Sequence, residues 1–192
     1  MSETRGVMFN QRASDPKSKP DMVVRSLGIR TGDVVADIGA GGGYFTMRFA
    51  AKVGIQGSVY AVDVNPDFLE FIREECVKQG VVNVETVPAA AIGDVLPERG
   101  LDLIFLRNVY HHLPDRTNYF RGVEKFLKRE GRVAIVEYKR GKLLSFHRLF
   151  GHHVPPQVIV EELAAAGYRV VQSFDFLPEQ SFTIFAAGKG LW

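Results

Sequence analysis

The chain has 192 residues, enough for one domain with a sizeable core. A hydrophobic share of 46% and a charged share of 24% exclude disordered and fibrous classes, and a net charge of +2 does not by itself imply a nucleic-acid or membrane partner. The single cysteine, Cys76, excludes an intramolecular disulfide. With no Cys/His cluster at zinc-site spacing, no signal-peptide core in "MSETRGVMFN" and no run long enough to span a membrane, a cytoplasmic protein without a metal is expected.

Residues 1–20, ending "RASDPKSKP", are polar and proline-bearing, and read as an N-terminal arm that orders only if it folds over something; residues 21–192 read as a single domain. "DMVVRSLGI" predicts a short helix, with Asp21 as N-cap and Gly28 as stop. The chain then alternates in period. "DVVADIG" predicts a strand, and "YFTMRFAAKVG" predicts a helix closing on Gly54. "SVYAVDV" is a second strand, and "PDFLEFIREECVKQG" has Pro66 at a helix start and Gly80 just past its end. "VNVETV" and "LDLIFLRNV" follow as strands, "RTNYFRGVEKFLKREG" as an amphipathic helix and "RVAIVEY" as a fifth strand. This is the α/β pattern of a parallel sheet covered on both faces. The chain continues with a basic, aromatic connector, "KRGKLLSFHRLFGHHV", and a helix, "PPQVIVEELAAAGY". The strands "RVVQSFDF" and "SFTIFAAG" end the pattern, and the link "LPEQ" between them is too short for a crossover helix, so they are antiparallel.

"VVADIGAGGGYFT", Val34 to Thr46, places four glycines in five positions where the first strand hands over to the first helix. Bare backbone and a helix N-terminus can approach a nucleotide there. The dinucleotide fingerprint G-x-G-x-x-G fails, because its third glycine would fall on Tyr44 or Thr46. What stands instead is Asp37, Gly39, Gly41 and Gly43, an acid-x-G-x-G-x-G pattern. About 20 residues on, Asp63 ends "VYAVDV", where a carboxylate can accept paired ribose hydroxyls.

With these motifs the chain resembles the class I S-adenosylmethionine-dependent methyltransferases, and within them the small ubiquinone/menaquinone-biosynthesis type. "LDLIFLRNVYHHL", "FLKREGRVAIVEY" and the antiparallel final pair extend the resemblance over residues 20–188. It implies a Rossmann-like seven-stranded, mostly parallel sheet with an antiparallel last strand and helices on both faces. The implied cofactor is S-adenosyl-L-methionine. Gly39, Ala40, Gly41, Gly43 and Tyr44 then line its methionine part, and Asp37 anchors the loop and approaches the ammonium. Asp63 holds the ribose and Val64 lies against the adenine. The position where relatives commonly place an adenine-binding acid falls on Ala90, so backbone around Ala89 to Ala91 is expected to read that base.

Arg107 and Asn108, which the resemblance also implies as cofactor-binding, follow the fourth strand, where the family faces the methyl group, and "NVYHHLPD" continues into the acceptor pocket. His111, Arg107 and Tyr110 are the candidate catalytic residues; His111 and His112 read equally as the packing start of a short helix, Tyr110 as pocket wall, and Arg107 as half of a surface ion pair. "RNVY" lacks the prolines of enzymes that methylate base amines or glutamine amides, and one cysteine argues against arsenic methylation. A small-molecule acceptor, methylated at oxygen or carbon, is expected. RNA or protein methylation, or a non-catalytic cofactor-binding regulator, is the alternative. The connector's Lys139, Arg140, Lys142, His147, Arg148, His152 and His153, interleaved with apolar residues, read either as a lid for an anionic or amphipathic substrate or as an ordinary basic helix face. No pattern in the chain specifies an oligomer.

Overall fold

Seven apolar runs become the strands of one sheet, in the order β3-β2-β1-β4-β5-β7-β6. The computed structural model describes residues 2–139 and 153–188. Strands β1 (Val34–Ile38), β2 (Ser58–Asp63), β3 (Val84–Pro88), β4 (Leu101–Arg107) and β5 (Leu127–Tyr138) pair in parallel. β7 (Gln180–Ala187) runs antiparallel between β5 and β6 (Tyr168–Phe174).

Side chains alternate along a strand, so each strand feeds two cores. On one face Val35, Val59, Leu103, Phe105, Ala134 and Val136 pack under Val23 and Val24 of α2 (Pro20–Ser26) and Phe45, Phe49 and Val53 of α3 (Tyr44–Val53). The opposite face places Ala36, Ile38, Val62, Ile104, Leu106 and Ile135 against α6 (Arg116–Val123) and α7 (Pro156–Ala165). Each fully buried phenylalanine, such as Phe49 or Phe105, contributes roughly 1.5–3 kcal/mol by leaving water. The remaining helices are α4 (Pro66–Gln79), which Asn65 caps by accepting from the Asp67 N–H, and the short α5 (Ile92–Val95).

Three boundaries depart from the sequence reading. The first twenty residues carry α1 (Ser2–Ser14) and a 3-10 turn, Pro16–Ser18. Phe9 meets Phe68 of α4 edge-on at 5.3 Å, and Gly6 lies so close to Phe71 that a Cβ would sit 2.7 Å from its ring. The arm is ordered because it packs. Asp21 is not the N-cap of α2: Lys19, at φ 43°, takes that place, Pro20 fills the first turn, and Asp21 pairs with Arg48. The helix expected through Gly131 ends at Val123, because Leu127 already pairs with Leu101 and the backbone of 127–131 joins the sheet through an irregular register. Residues 140–152, which hold most of the basic connector, lie outside the described residues. At its near end the Lys139 ammonium donates to the Leu177 carbonyl at 3.0 Å.

Candidate active site at the carboxyl ends of the strands

β1 stops at Ile38, and the chain turns toward β2. The Gly39 and Ala40 N–H groups both donate to the Val62 carbonyl, at 2.8 and 3.0 Å. Gly39, Gly41 and Gly43 take φ of 73°, 53° and 78°, the left-handed region that side chains disfavour. The chain itself fills much of the space that these glycines leave. A Cβ on Gly39 would meet Val109 Cγ2 at 2.1 Å, one on Gly43 would meet Ile72 at 2.7 Å, and one on Gly42 would meet the Gly6 carbonyl of α1 at 2.3 Å. At Gly41 the nearest atom, from Phe9, lies at an ordinary 3.8 Å. Gly43 has no side chain to cap α3; the Asp37 carboxylate instead accepts from the backbone and the hydroxyl of Thr46 in the helix's first turn.

The aspartates flanking the loop differ in their surroundings. Asp37 is 3% exposed and accepts a 2.6 Å hydrogen bond from Thr46 Oγ1. Burial pushes its carboxyl up to about 7, against the pull of the Thr46 bond and with help from the Asp63 charge. Asp63 accepts at one oxygen from the Gly41 N–H and at the other from the Asn65 N–H, each at 2.9 Å. Asp63 pairs in register with Pro88, so Val64 and the 3-10 turn Ala89–Ala91 leave the sheet side by side. Val64 is 87% exposed, Ala90 is exposed and Ala91 is half-buried.

This donor set fits S-adenosylmethionine. Each Asp63 oxygen keeps a lone pair for a ribose hydroxyl, and adjacent Val64 and Ala90 offer apolar surface to a purine. Tyr44, the first residue of α3, carries Arg48 over its ring at 5.4 Å. Asp37 is buried, with its carboxylate held by Thr46 of α3.

On the far side, Asn108 takes a φ of 56°, donates its N–H to the Val136 carbonyl and accepts from Gln180 Nε2 at 2.6 Å. The Arg107 guanidinium lies over the Phe45 ring at 5.3 Å and donates to Ser18 Oγ at 3.0 Å. That arrangement is no surface ion pair. Tyr110 is fully buried: its ring stacks on Phe120, its hydroxyl donates to Glu162 at 2.5 Å, and burial and that carboxylate raise its pKa. The structure therefore corrects Tyr110 from pocket wall or base to core.

His111 is the middle residue of a 3-10 turn, Tyr110–His112, and meets a residue that the sequence reading passed over. Glu137, fully buried on β5, accepts from the His111 N–H at 3.3 Å and the Tyr138 N–H at 2.9 Å, and sits 3.1 Å from His111 Nδ1. With both oxygens already receiving backbone donors, Glu137 acts as an acceptor and the imidazole proton belongs on Nδ1. The available signal was an acid inside the apolar run "RVAIVEY". Among the described residues no helix is long and apolar enough to cross a membrane, and no group of three potential ligands gathers for a metal.

The methyltransferase domain family matches residues 29–167. The ubiquinone/menaquinone biosynthesis C-methyltransferase UbiE of Edwardsiella ictaluri (strain 93-146) is 29% identical over 135 residues, which are 68% of this chain and 54% of that protein. Its counterpart from Cronobacter sakazakii (strain ATCC BAA-894) is 28% identical over 159 residues, 80% of this chain and 63% of that protein. The chain thus spans little more than half the length of these curated relatives. Among solved structures, a SAM-dependent methyltransferase from Aquifex aeolicus superposes with a TM-score of 0.82 at 22% identity, covering 93% of this chain and 96% of its own. Sequence motifs, sheet order and these matches agree: the chain belongs to the methyltransferase domain family, in its Rossmann-like, S-adenosylmethionine-dependent class.

Proposed function

We propose that this protein transfers a methyl group from S-adenosylmethionine to a small-molecule acceptor, at carbon or oxygen. The observation that carries the reading is the Asp63 carboxylate at the end of β2, tied to the Gly41 N–H across the glycine loop. The names of the curated relatives favour carbon. When bound, S-adenosylmethionine supplies a methyl group already activated on a sulfonium, so positioning can provide much of the catalysis.

The chain's residues divide that positioning. Asp63 accepts the ribose hydroxyls; Val64, Ala90 and Ala91 bear on the adenine; Gly39, Ala40, Gly41 and Gly43 offer backbone to the methionine end, beside Tyr44. Asp37 acts from below, holding the loop to α3 through Thr46. Asn108, fixed by Gln180, shapes the floor between donor and acceptor. Glu137, 3.1 Å from His111 Nδ1, orients the imidazole that we assign as the base for an acceptor hydroxyl or an acidic carbon. We also propose that residues 1–20 form an arm over a single domain of 21–192, and that the protein is cytoplasmic, with Cys76 a free thiol.

Methyl transfer from labelled S-adenosylmethionine to a panel of phenols and quinols tests the reading. Turnover is expected, reduced about 10²–10⁴-fold in His111→Gln and in Glu137→Gln while cofactor affinity stays within twofold. Unchanged turnover in both variants removes the base. Cofactor binding without turnover of any panel member overturns the small-molecule reading.

A further inference from the structure

Arg107 ends β4 on the face that Leu103 and Phe105 also use, under the linker between α1 and α2. A guanidinium carries five N–H donors, yet this one has a single neutral oxygen partner, Ser18 Oγ, and its Nε is buried without a hydrogen bond among the described residues. Among those residues no carboxylate forms an ion pair with it. Asp37 acts on it only through its field; that carboxyl is committed to Thr46, and burial favours its neutral form. Desolvation in turn lowers the pKa of Arg107. A half-buried cation with a buried, unpartnered Nε and no ion pair among the described residues is costly, and an arginine fork matches the two oxygens of a carboxylate.

The position selects the source of that carboxylate. Strand β1 separates β4 from β2, where Asp63 stands, and the charges that act on Arg107 come from Tyr138 of β5, Asp37 and Tyr44. The cofactor's amino-acid end is assigned above to the glycine loop, Gly39 to Gly43. Phe45 lies face-on beneath the guanidinium, with Tyr44 edge-on to Phe45, so the surroundings are aromatic.

We propose that Arg107 is the receptor for a carboxylate carried by the methyl acceptor, and that the acceptor is an aromatic acid. This rests on the methyl-transfer reading above. Benzoate and its neutral isostere benzamide are the probes, titrated calorimetrically into full-length protein saturated with S-adenosylhomocysteine. Wild type is expected to bind benzoate at least 10-fold more tightly than benzamide; Arg107→Gln loses that preference, and Arg107→Lys keeps part of it. S-adenosylhomocysteine affinity within threefold of wild type in both variants shows that they fold and that the cofactor's own carboxylate lies elsewhere. A benzoate preference absent from wild type, or unchanged in Arg107→Gln, overturns the proposal alone. Arg107→Gln that weakens S-adenosylhomocysteine 10-fold, while leaving 5′-deoxy-5′-methylthioadenosine unaffected, assigns Arg107 to the cofactor and also overturns it. Wild type that fails to bind S-adenosylhomocysteine overturns the methyl-transfer reading, and this proposal with it.

Discussion

Asp37 and Asp63 stand at the carboxyl ends of neighbouring strands, Asp37 one residue before the end of β1 and Asp63 at the end of β2, and the fold uses them in opposite ways. Asp37 is sealed under α3, with Thr46 as hydrogen-bond partner, and its carboxyl is pushed up to about 7. Asp63 is almost as little exposed, at 8% against 3%, but it accepts a backbone N–H on each oxygen and exposed Val64 follows it. Hydrogen-bond partners rather than depth therefore separate the two. An acid tied to a helix side chain makes a structural anchor, while a carboxylate held by backbone N–H donors at a strand end can face ligand hydroxyls.

The contrast depends on the loop, and the largest expected effect comes from disturbing it. Gly39→Ala places a methyl group in a left-handed residue and drives it into Val109, so unfolding free energy should fall by about 3 kcal/mol or more and cofactor binding should be lost. Gly32→Ala is the control. At φ 86° with nothing within 4 Å it carries backbone strain alone, about 1–2 kcal/mol, with binding intact. Equal losses in denaturant unfolding would mean that the close approach to Val109 does not matter.

Neutralising Asp37 sharpens the contrast further. The carboxyl of Asp37 titrates at about 7 in the folded chain against 3.8 as a reference, so between those values the folded state holds the extra proton. Its contribution to stability is therefore full below about pH 4 and falls away as pH rises through about 7. Asp37→Asn lacks this titration. The stability difference between Asp37→Asn and wild type should grow in favour of the variant across that window, by at most about 1.4 kcal/mol per pH unit. Parallel stability profiles of the two proteins would show that Asp37 is ionised in the fold.

The smallest effect belongs to the rim. Val64→Ala removes exposed apolar surface, so thermal unfolding should not move. S-adenosylmethionine affinity should drop only a few-fold, in line with about 1 kcal/mol of lost apolar contact. A lowered melting temperature would place Val64 in the packing instead.

Signals that are local in sequence were legible. The glycine loop, Asp37, Asp63 and the strand-helix alternation each rest on spacings within about 25 residues, and "LPEQ" was short enough to fix the final antiparallel pair. Long-range partners were hidden. Glu137 reaches His111 across 26 residues, and Ser18 reaches Arg107 across 89; neither leaves a period to detect. Tyr110 was misread because a tyrosine in a loop looks exposed until Phe120 and Glu162 close over it. α1 escaped because "SETRGVMFNQRAS" is mostly polar and is stabilised by packing on α4, not by its own pattern. The early start of β5 was decided by Leu101 across the sheet, against a helical local sequence.

The division of labour between the two acids is tested most directly by calorimetric titration of S-adenosylmethionine into wild type, Asp63→Ala and Asp37→Asn at one pH. Wild type should bind in the micromolar range, about −8 kcal/mol, and prefer this cofactor to NAD. Asp63→Ala should lose about 2–4 kcal/mol of binding while Asp37→Asn stays within about 1 kcal/mol of wild type. Equal losses in the two variants, or full affinity in Asp63→Ala, would contradict the account.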